Sequence, residues 1–146
     1  TRSHLRFYPG IIHEDELFTP LLFINARRVS YIPQVFFLRR VRENSIMTGN
    51  FSQKNINGYF TVVRELKKSV TNSGTKASEV ISSRIGAIVN SVAYQSNRFT
   101  LKRRLKVLSF LIKSGTIKFL NFKNFIILLF PFSIKLKSLA KRAGNP

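Results

Sequence analysis

The chain has 146 residues, with 25 Lys and Arg against 6 Asp and Glu, so its formal net charge is +19 at pH 7. Hydrophobic residues make up 44% of it and 14 residues are Phe, which excludes a disordered basic tail because such tails lack the apolar surface that offsets chain entropy. The absence of cysteine excludes disulfides and thiolate sites. Because like charges repel each other in a compact state, a polyanionic partner is the first hypothesis.

The first part of the chain, residues 1–72, predicts a long, mostly extended basic arm. Its apolar runs at 17–24, 35–38 and 60–63 are short, and they are separated by Pro20, Pro33, Gly49 and Gly58. No helical period lasts longer than two turns, so we expect this arm to lie along something else. Its arginines occur mainly in pairs, which include Arg27 with Arg28 and Arg39 with Arg40.

A polar stretch at 67–76 indicates a linker, and we place a domain boundary near Ser73, so that residues 73–146 form a second unit. From Lys76 onward, apolar residues recur at three- and four-residue spacing and predict an amphipathic helix: Val80, Ile81, Ile85, Ile88, Val89 and Val92. A second helix is predicted over 102–114. Its expected buried residues are Leu105, Leu108, Leu111 and Ile112, and Gly115 ends it.

Three strands complete the predicted second unit. Residues 98–101 are short and β-prone, residues 116–123 alternate apolar with polar side chains, and residues 125–132 are wholly apolar. The order helix, strand, helix, strand, strand predicts an α+β fold in which two helices cover one face of a small sheet. The apolar run at 125–132 has eight residues, too few to span a bilayer.

Side chains suited to catalysis or metal binding are scarce. His4 and His13 are the two histidines, and His13 precedes three acids, Glu14, Asp15 and Glu16. Adjacent residues in a loop seldom converge on a metal or on a reacting group, so a solvated acidic patch or a contact with a neighbouring basic protein is the preferred interpretation. The chain contains no phosphate-binding glycine loop and no nucleophile elbow. We therefore expect no enzyme, no cofactor and no metal site.

The distribution of charge carries the functional signal. Residues 80–146 contain 13 Lys and Arg and no acid. A surface that faces phosphates excludes carboxylates, whereas a merely solvated surface mixes both signs. No zinc finger, basic zipper or RNP-type motif is present, so RNA recognised by shape and by its phosphates is favoured. Tyr94, Phe99 and Phe119 are more typical of a core than of base stacking.

Three segments within 76–146 carry a resemblance to a known family. The first is Gly86-Ala87-Ile88-Val89-Asn90, the second is residues 111–117 (LIKSGTI), and the third is residues 138–146 (SLAKRAGNP). In their order and spacing they resemble the amino-terminal domain of small-subunit ribosomal protein eight, which binds the central domain of the small-subunit ribosomal RNA. Two features indicate the mitochondrial form: the long leading arm, which is common on mitochondrial ribosomal proteins, and a bias toward Ile, Phe, Asn and Lys that resembles an AT-rich coding source.

This resemblance implies a structural constituent of the mitochondrial small ribosomal subunit, located in the matrix, whose partners are ribosomal RNA and neighbouring ribosomal proteins. The second domain of the family would begin where this sequence ends, so three alternatives stay open: the domain is lost, it lies beyond these residues, or a separate chain supplies it and is a further partner. The predicted RNA contacts are one amide and fourteen basic side chains: Arg84, Asn90, Arg98, Lys102, Arg103, Arg104, Lys106, Lys135, Lys137, Lys141, Arg142, Arg27, Arg28, Arg39 and Arg40.

Two other classes of function remain open. A basic accessory subunit of a mitochondrial membrane complex would touch anionic lipid through Lys and Arg, and it would require a basic amphipathic helix with an exposed apolar face. A nucleoid protein would bind duplex DNA as well as RNA.

Overall fold

The computed structural model describes residues 5–38, 50–71 and 74–131. Over these residues the chain forms five α-helices: α1 (Asp15–Asn25), α2 (Gln53–Thr71), α3 (Thr75–Gln95), α4 (Leu101–Lys113) and α5 (Phe122–Leu129). Two 3₁₀ turns, Ser96–Arg98 and Ile117–Phe119, precede α4 and α5. In this part of the chain no helix combines the length and the apolar character needed to span a membrane.

The predicted α+β fold is wrong, because the described residues contain no β-strand. The stretch 98–101 contains the end of the first 3₁₀ turn and the first residue of α4, while 116–123 contains the second 3₁₀ turn and the start of α5. The described part of the apolar run 125–132 lies mainly in α5. A short, uniformly apolar run has no period that separates a buried helix from a buried strand. Asn121 decides the outcome locally, since its side chain accepts the Asn124 N–H at 2.8 Å and caps α5.

The expectation of a mostly extended arm is also wrong for the residues that form α1 and α2. Along α2, Ile56, Val63 and Leu66 are buried at helical spacing and pack in the same core as α3, α4 and α5. Gly58 is not a break between elements. It lies where the carbonyl oxygen of Ile12 crosses α2, and a Cβ at this position would overlap that oxygen. Residues on both sides of the predicted boundary therefore share one core, and Ser73 itself lies outside the described residues.

The central element is α3, which contacts the other four helices. It buries Ile81, Ile85, Ile88, Val89 and Val92 as the spacing predicts, whereas Val80 is exposed.

The helix α4 ends as predicted at Gly115, whose positive φ of 66° suits glycine. There the Thr116 N–H donates to the Leu111 carbonyl, and the Gly115 N–H donates to the Ile112 carbonyl, both at 2.9 Å.

The buried face of α4 differs from the prediction: the helix is rotated about its axis relative to the orientation that the sequence predicts. It buries Arg104, Val107 and Leu111. Leu105 and Ile112, which were expected inside, are 47% and 58% exposed.

Candidate functional site

The helices α2 and α4 run side by side in the same direction, and their contacts follow in the same order along both. Phe51 and Phe99, which precede the two helices, have ring centroids 6.0 Å apart. Farther along, the rings of Phe60 and Phe110 stack at 3.6 Å with an interplanar angle of 6°. Near the two C-terminal ends, the Lys67 ammonium donates to the Ser114 carbonyl. These contacts connect α2 and α4 at successive points along both helices.

The exposed side of this helix pair is basic. Arg64 follows Phe60 by one turn on α2, and Lys106 precedes Phe110 by one turn on α4, while Lys113 follows Phe110 by three residues. We define the α2–α4 basic surface as the exposed side chains of Arg64, Lys102, Arg103, Lys106 and Lys113. Since α4 rises about 1.5 Å per residue, its cations extend over about 16 Å.

Two features leave this surface available to an anion. Among the described residues the ion pairs are Lys68 with Glu65 and Arg84 with Glu16, and neither involves α4. The Arg103 guanidinium lies over the Phe99 ring, 5.6 Å from its centroid. That ring restrains the side chain while its N–H donors remain able to bind a phosphate.

Arg104 does not join the exposed cluster in which the sequence analysis placed it. It is buried, and its Nη1 donates to the carbonyls of Leu128 and Leu129, both at 2.9 Å. These carbonyls belong to the last turn of α5, where backbone acceptors lack helical partners and where a positive charge is favoured by the helix dipole. Its Nε is buried without a hydrogen-bond partner. Arg104 therefore stabilises the end of α5 from within the fold.

Asn90, also a predicted RNA contact, links α3 to the segment before α5. Its Nδ2 donates to the carbonyls of Gly86 and Phe119, at 2.9 and 2.8 Å. Its Oδ1 accepts from the Asn121 N–H and from the Asn124 side chain, both at 3.0 Å. An asparagine amide offers two donors and two acceptor sites, so its capacity is used entirely inside the protein.

The other predicted contacts lie apart from α4 or outside the described residues. Arg84 is paired with Glu16 across α1 and α3, so an RNA phosphate would compete with a carboxylate there. Arg98 is exposed beside Tyr94 at the end of α3. Arg27 and Arg28 are exposed after α1. The remaining six lie outside the described residues: Arg39, Arg40, Lys135, Lys137, Lys141 and Arg142.

Besides Lys113, which was placed on the predicted helix but not among the RNA contacts, two features of this surface were not predicted from the sequence. The first is Arg64, which was assigned to an extended arm. The helical spacing of the apolar residues Ile56, Val63 and Leu66 could have predicted α2, and Arg64 lies on that helix one turn after Phe60. The second is an aliphatic stripe on the exposed side of α4, beside the lysines. It consists of Leu101, Leu105 and Ile112, each at least 47% exposed.

The acidic end of the molecule is built around His13 and Tyr59. The two rings stack at 4.1 Å, and the His13 Nε2 lies 3.0 Å from the Asn55 Nδ2. Burial, and then the nearby carboxylates of Glu16 and Asp15, raise the pKa of Tyr59 above its usual 10.0, and Arg84 opposes this shift. Over the described residues no three His, Asp or Glu side chains are grouped to hold a metal ion.

No protein-family model, curated protein or solved structure matches this chain. The assignment of function therefore rests on the geometry and charge described above.

Proposed function

We propose that this chain is a structural RNA-binding protein that holds RNA phosphates on its α2–α4 basic surface. One observation carries the proposal: α2 and α4, which are joined by the Phe60–Phe110 stack, together expose five basic side chains, and α4 contains no acid. The helical backbone of α4 sets the spacing of these cations before a ligand binds, so the backbone loses little conformational entropy on binding. Each phosphate contact also releases counterions, which makes the binding favourable at low salt.

RNA is favoured over DNA because the sequence contains no zinc finger and no basic zipper that would place a helix in the major groove of DNA. The exposed face of α4 carries Lys, Arg and aliphatic side chains, without an Asn or Gln that would pair with adenine. Shape recognition of this kind is typical of proteins that bind structured RNA.

The finer assignment, to the mitochondrial small ribosomal subunit and the central domain of its RNA, stays a prediction from the sequence. The sheet that the resemblance to ribosomal protein eight implies is absent from the described residues. What supports the assignment is the charge of +19 and the acid-free stretch after Glu79. Sedimentation of native mitochondrial lysate tests it. Comigration with the small subunit, lost after ribonuclease treatment, is expected, and ribonuclease-resistant migration with a membrane complex would refute it.

Salt-dependent binding tests the phosphate contacts directly. The full-length protein is titrated with a double-stranded RNA hairpin at several salt concentrations, and the double variant K106Q/K113Q is compared with K76Q/K123Q. Both variants lose two positive charges, but the second pair is exposed on α3 and α5. On duplex RNA we expect K106Q/K113Q to lower the logarithmic salt slope by about 1.8, using about 0.9 per lost contact.

The control K76Q/K123Q should change this slope little. Equal slopes for the two variants would show that only net charge matters and would refute the α2–α4 site. A DNA duplex of the same length serves as competitor, and equal affinity for it would favour the nucleoid alternative.

The aliphatic stripe of α4 supports a second candidate, binding to an anionic membrane surface. Leu101, Leu105 and Ile112 run beside Lys102, Lys106 and Lys113, the arrangement of a helix that lies in a lipid interface. Flotation with vesicles of phosphatidylcholine, with and without phosphatidylglycerol, separates the candidates. If lipid is the ligand, the variant L105Q/I112Q should abolish vesicle binding. If RNA is the ligand, the same variant should leave RNA affinity nearly unchanged, because the basic side chains that contact the phosphates are kept.

A further inference from the structure

The most exposed apolar part of the described chain is the segment of residues 29–38, which follows α1. Tyr31 is 86% exposed, Val35 86%, Phe37 79% and Leu38 92%. Soluble proteins rarely expose so many large apolar side chains in one place unless another molecule covers them. The core of this protein does not cover them, since the hydrophobic cluster includes no residue of this segment.

The backbone of the segment is also largely unpaired. Within the described residues, its hydrogen bond is the one that the Gln34 N–H donates to the Ile32 carbonyl at 2.8 Å, across Pro33. The segment forms neither a helix nor a strand. It therefore presents both its apolar side chains and its backbone N–H and C=O groups to a partner.

The residues of the segment suit a β-strand. Pro33 disfavours a helix, and Val29, Ile32 and Val35 are β-branched. In a strand, alternate side chains point to the same face. One face would then be wholly apolar: Val29, Tyr31, Pro33, Val35 and Phe37.

We propose that residues 29–38 bind a partner protein by adding to the open edge of its β-sheet, with their apolar face against its core. Backbone hydrogen bonds give affinity in this mode of recognition, and alternate side chains give specificity. Arg27 and Arg28 precede the segment, Arg39 follows it, and no acid lies between Glu16 and Glu43. Charge complementarity therefore requires carboxylates on the partner around both ends of that edge. This interface is independent of the RNA-binding surface on α2 and α4.

Pro33 sets the register of the added strand. Along an edge strand, every second residue directs its N–H and C=O toward the neighbouring strand. Proline has no N–H, so Pro33 must belong to the set that points away from the partner. The backbone N–H and C=O groups of Tyr31, Val35 and Phe37 then also face away from the neighbouring strand. The backbone groups of Ile32 and Gln34 form the hydrogen bonds to the partner. The turn bond from Gln34 to Ile32 must open on binding.

Two adjacent proline substitutions test this register. In Q34P the chain loses an N–H that pairs with the partner, whereas in V35P it loses one that faces away. Both positions are exposed and lie outside the core, so both variants should keep the helical circular dichroism of the wild type. Each is made in the full-length protein with Tyr31 replaced by the photo-crosslinking amino acid benzoylphenylalanine, and is irradiated in whole cells of the native host.

We expect one protein cross-link that survives ribonuclease and maps to an edge strand flanked by carboxylates. Q34P should lower its yield about tenfold or more, because a tenfold loss corresponds to about 1.4 kcal/mol of binding free energy. V35P should change the yield little. Equal yields for the two variants, cross-links to RNA, lipid or this chain itself, or no cross-link would each overturn the proposal. Loss of RNA binding in the salt titration would not affect this result.

Discussion

Asn90 shows how one polar side chain decides the packing of a segment. It accepts two hydrogen bonds and donates two, and three of these four attach the Phe119–Asn124 region to α3. The variant N90D keeps the size but replaces both donors with a carboxylate oxygen that faces the Gly86 and Phe119 carbonyls. We expect the free energy of unfolding to fall by about 3 kcal/mol, since acceptors left unpaired cost about 1–3 kcal/mol and charge raises that cost. Urea denaturation followed by circular dichroism measures the change.

The matched control for Asn90 is Asn57 on α2. Its side chain is exposed, and its Oδ1 accepts from the Gln53 side chain at 3.0 Å. Aspartate can accept the same bond, so N57D should change the free energy of unfolding by less than about 0.5 kcal/mol, as is usual at surface sites. If N90D and N57D were equally mild, the Asn90 hydrogen bonds would not stabilise the fold.

Tyr59 predicts how stability responds to alkaline pH. Its pKa is raised in the folded protein, first by burial and then by the carboxylates of Glu16 and Asp15. A raised pKa means that the folded state holds this proton more tightly than the unfolded state does. The stabilisation is therefore fully present below pH 10.0, the usual pKa, and is lost as the pH rises through the folded-state pKa.

Substitution by phenylalanine isolates this contribution from the lysines, which titrate in the same range. Y59F keeps the ring that stacks on His13 and removes the titrating hydroxyl. Thermal unfolding between neutral pH and pH 11 should show a smaller alkaline loss of stability in Y59F than in the wild type. Parallel losses in the two proteins would mean that Tyr59 titrates alike in both states.

Two glycines within helices make opposite predictions for the packing of the elements. A Cβ at residue 58 would overlap the Ile12 carbonyl oxygen, whereas a Cβ at residue 86 would meet the Phe119 side chain at 3.8 Å, an ordinary contact. Alanine is better than glycine in a helix by about 1 kcal/mol. We therefore expect G86A to be neutral or stabilising, and G58A to destabilise by about 1–3 kcal/mol because the loop before α1 must move.

Urea denaturation of both variants checks this pair. A stabilised G58A would show that residues 11–13 do not pack on α2. It would then favour the extended arm that the sequence predicts for the first half of the chain.

The helices that could be predicted are those whose apolar spacing is regular. In α3 the positions from Ile81 to Val92 repeat every three or four residues, and Gly115 marks the end of α4. In contrast, α5 is too uniformly apolar to show a period. The inward position of Arg104 depends on α5 ending beside it, a tertiary contact that no local pattern contains. Two of the five basic side chains of the candidate site, Arg64 and Lys113, were not among the predicted contacts. Arg64 lies on a helix that was not predicted, and this helix meets α4 through tertiary contacts such as the Phe60–Phe110 stack.

For the whole molecule, the net charge of +19 opposes folding in the absence of a polyanion. On α4, Lys102 and Lys106 lie one turn apart and Lys113 lies two turns farther on, and among the described residues no carboxylate pairs with them. Salt at about 0.1 M limits such repulsion to about 10 Å. We therefore expect the melting temperature of the free protein to rise as salt is added from low concentration.

A bound RNA should reverse that dependence. RNA supplies the missing counter-charge and stabilises the folded state by about 2.7 kcal/mol at a free concentration one hundred times the dissociation constant. Salt weakens this binding, so the melting temperature of the complex should fall over the salt range in which that of the free protein rises. Differential scanning fluorimetry with and without the RNA hairpin measures both curves, and K106Q/K113Q should flatten both. If the melting temperature of the free protein also falls as salt is added, attractive ion pairs stabilise its helices. The proposal that the cations of α4 lack a counter-charge until RNA binds would then be wrong.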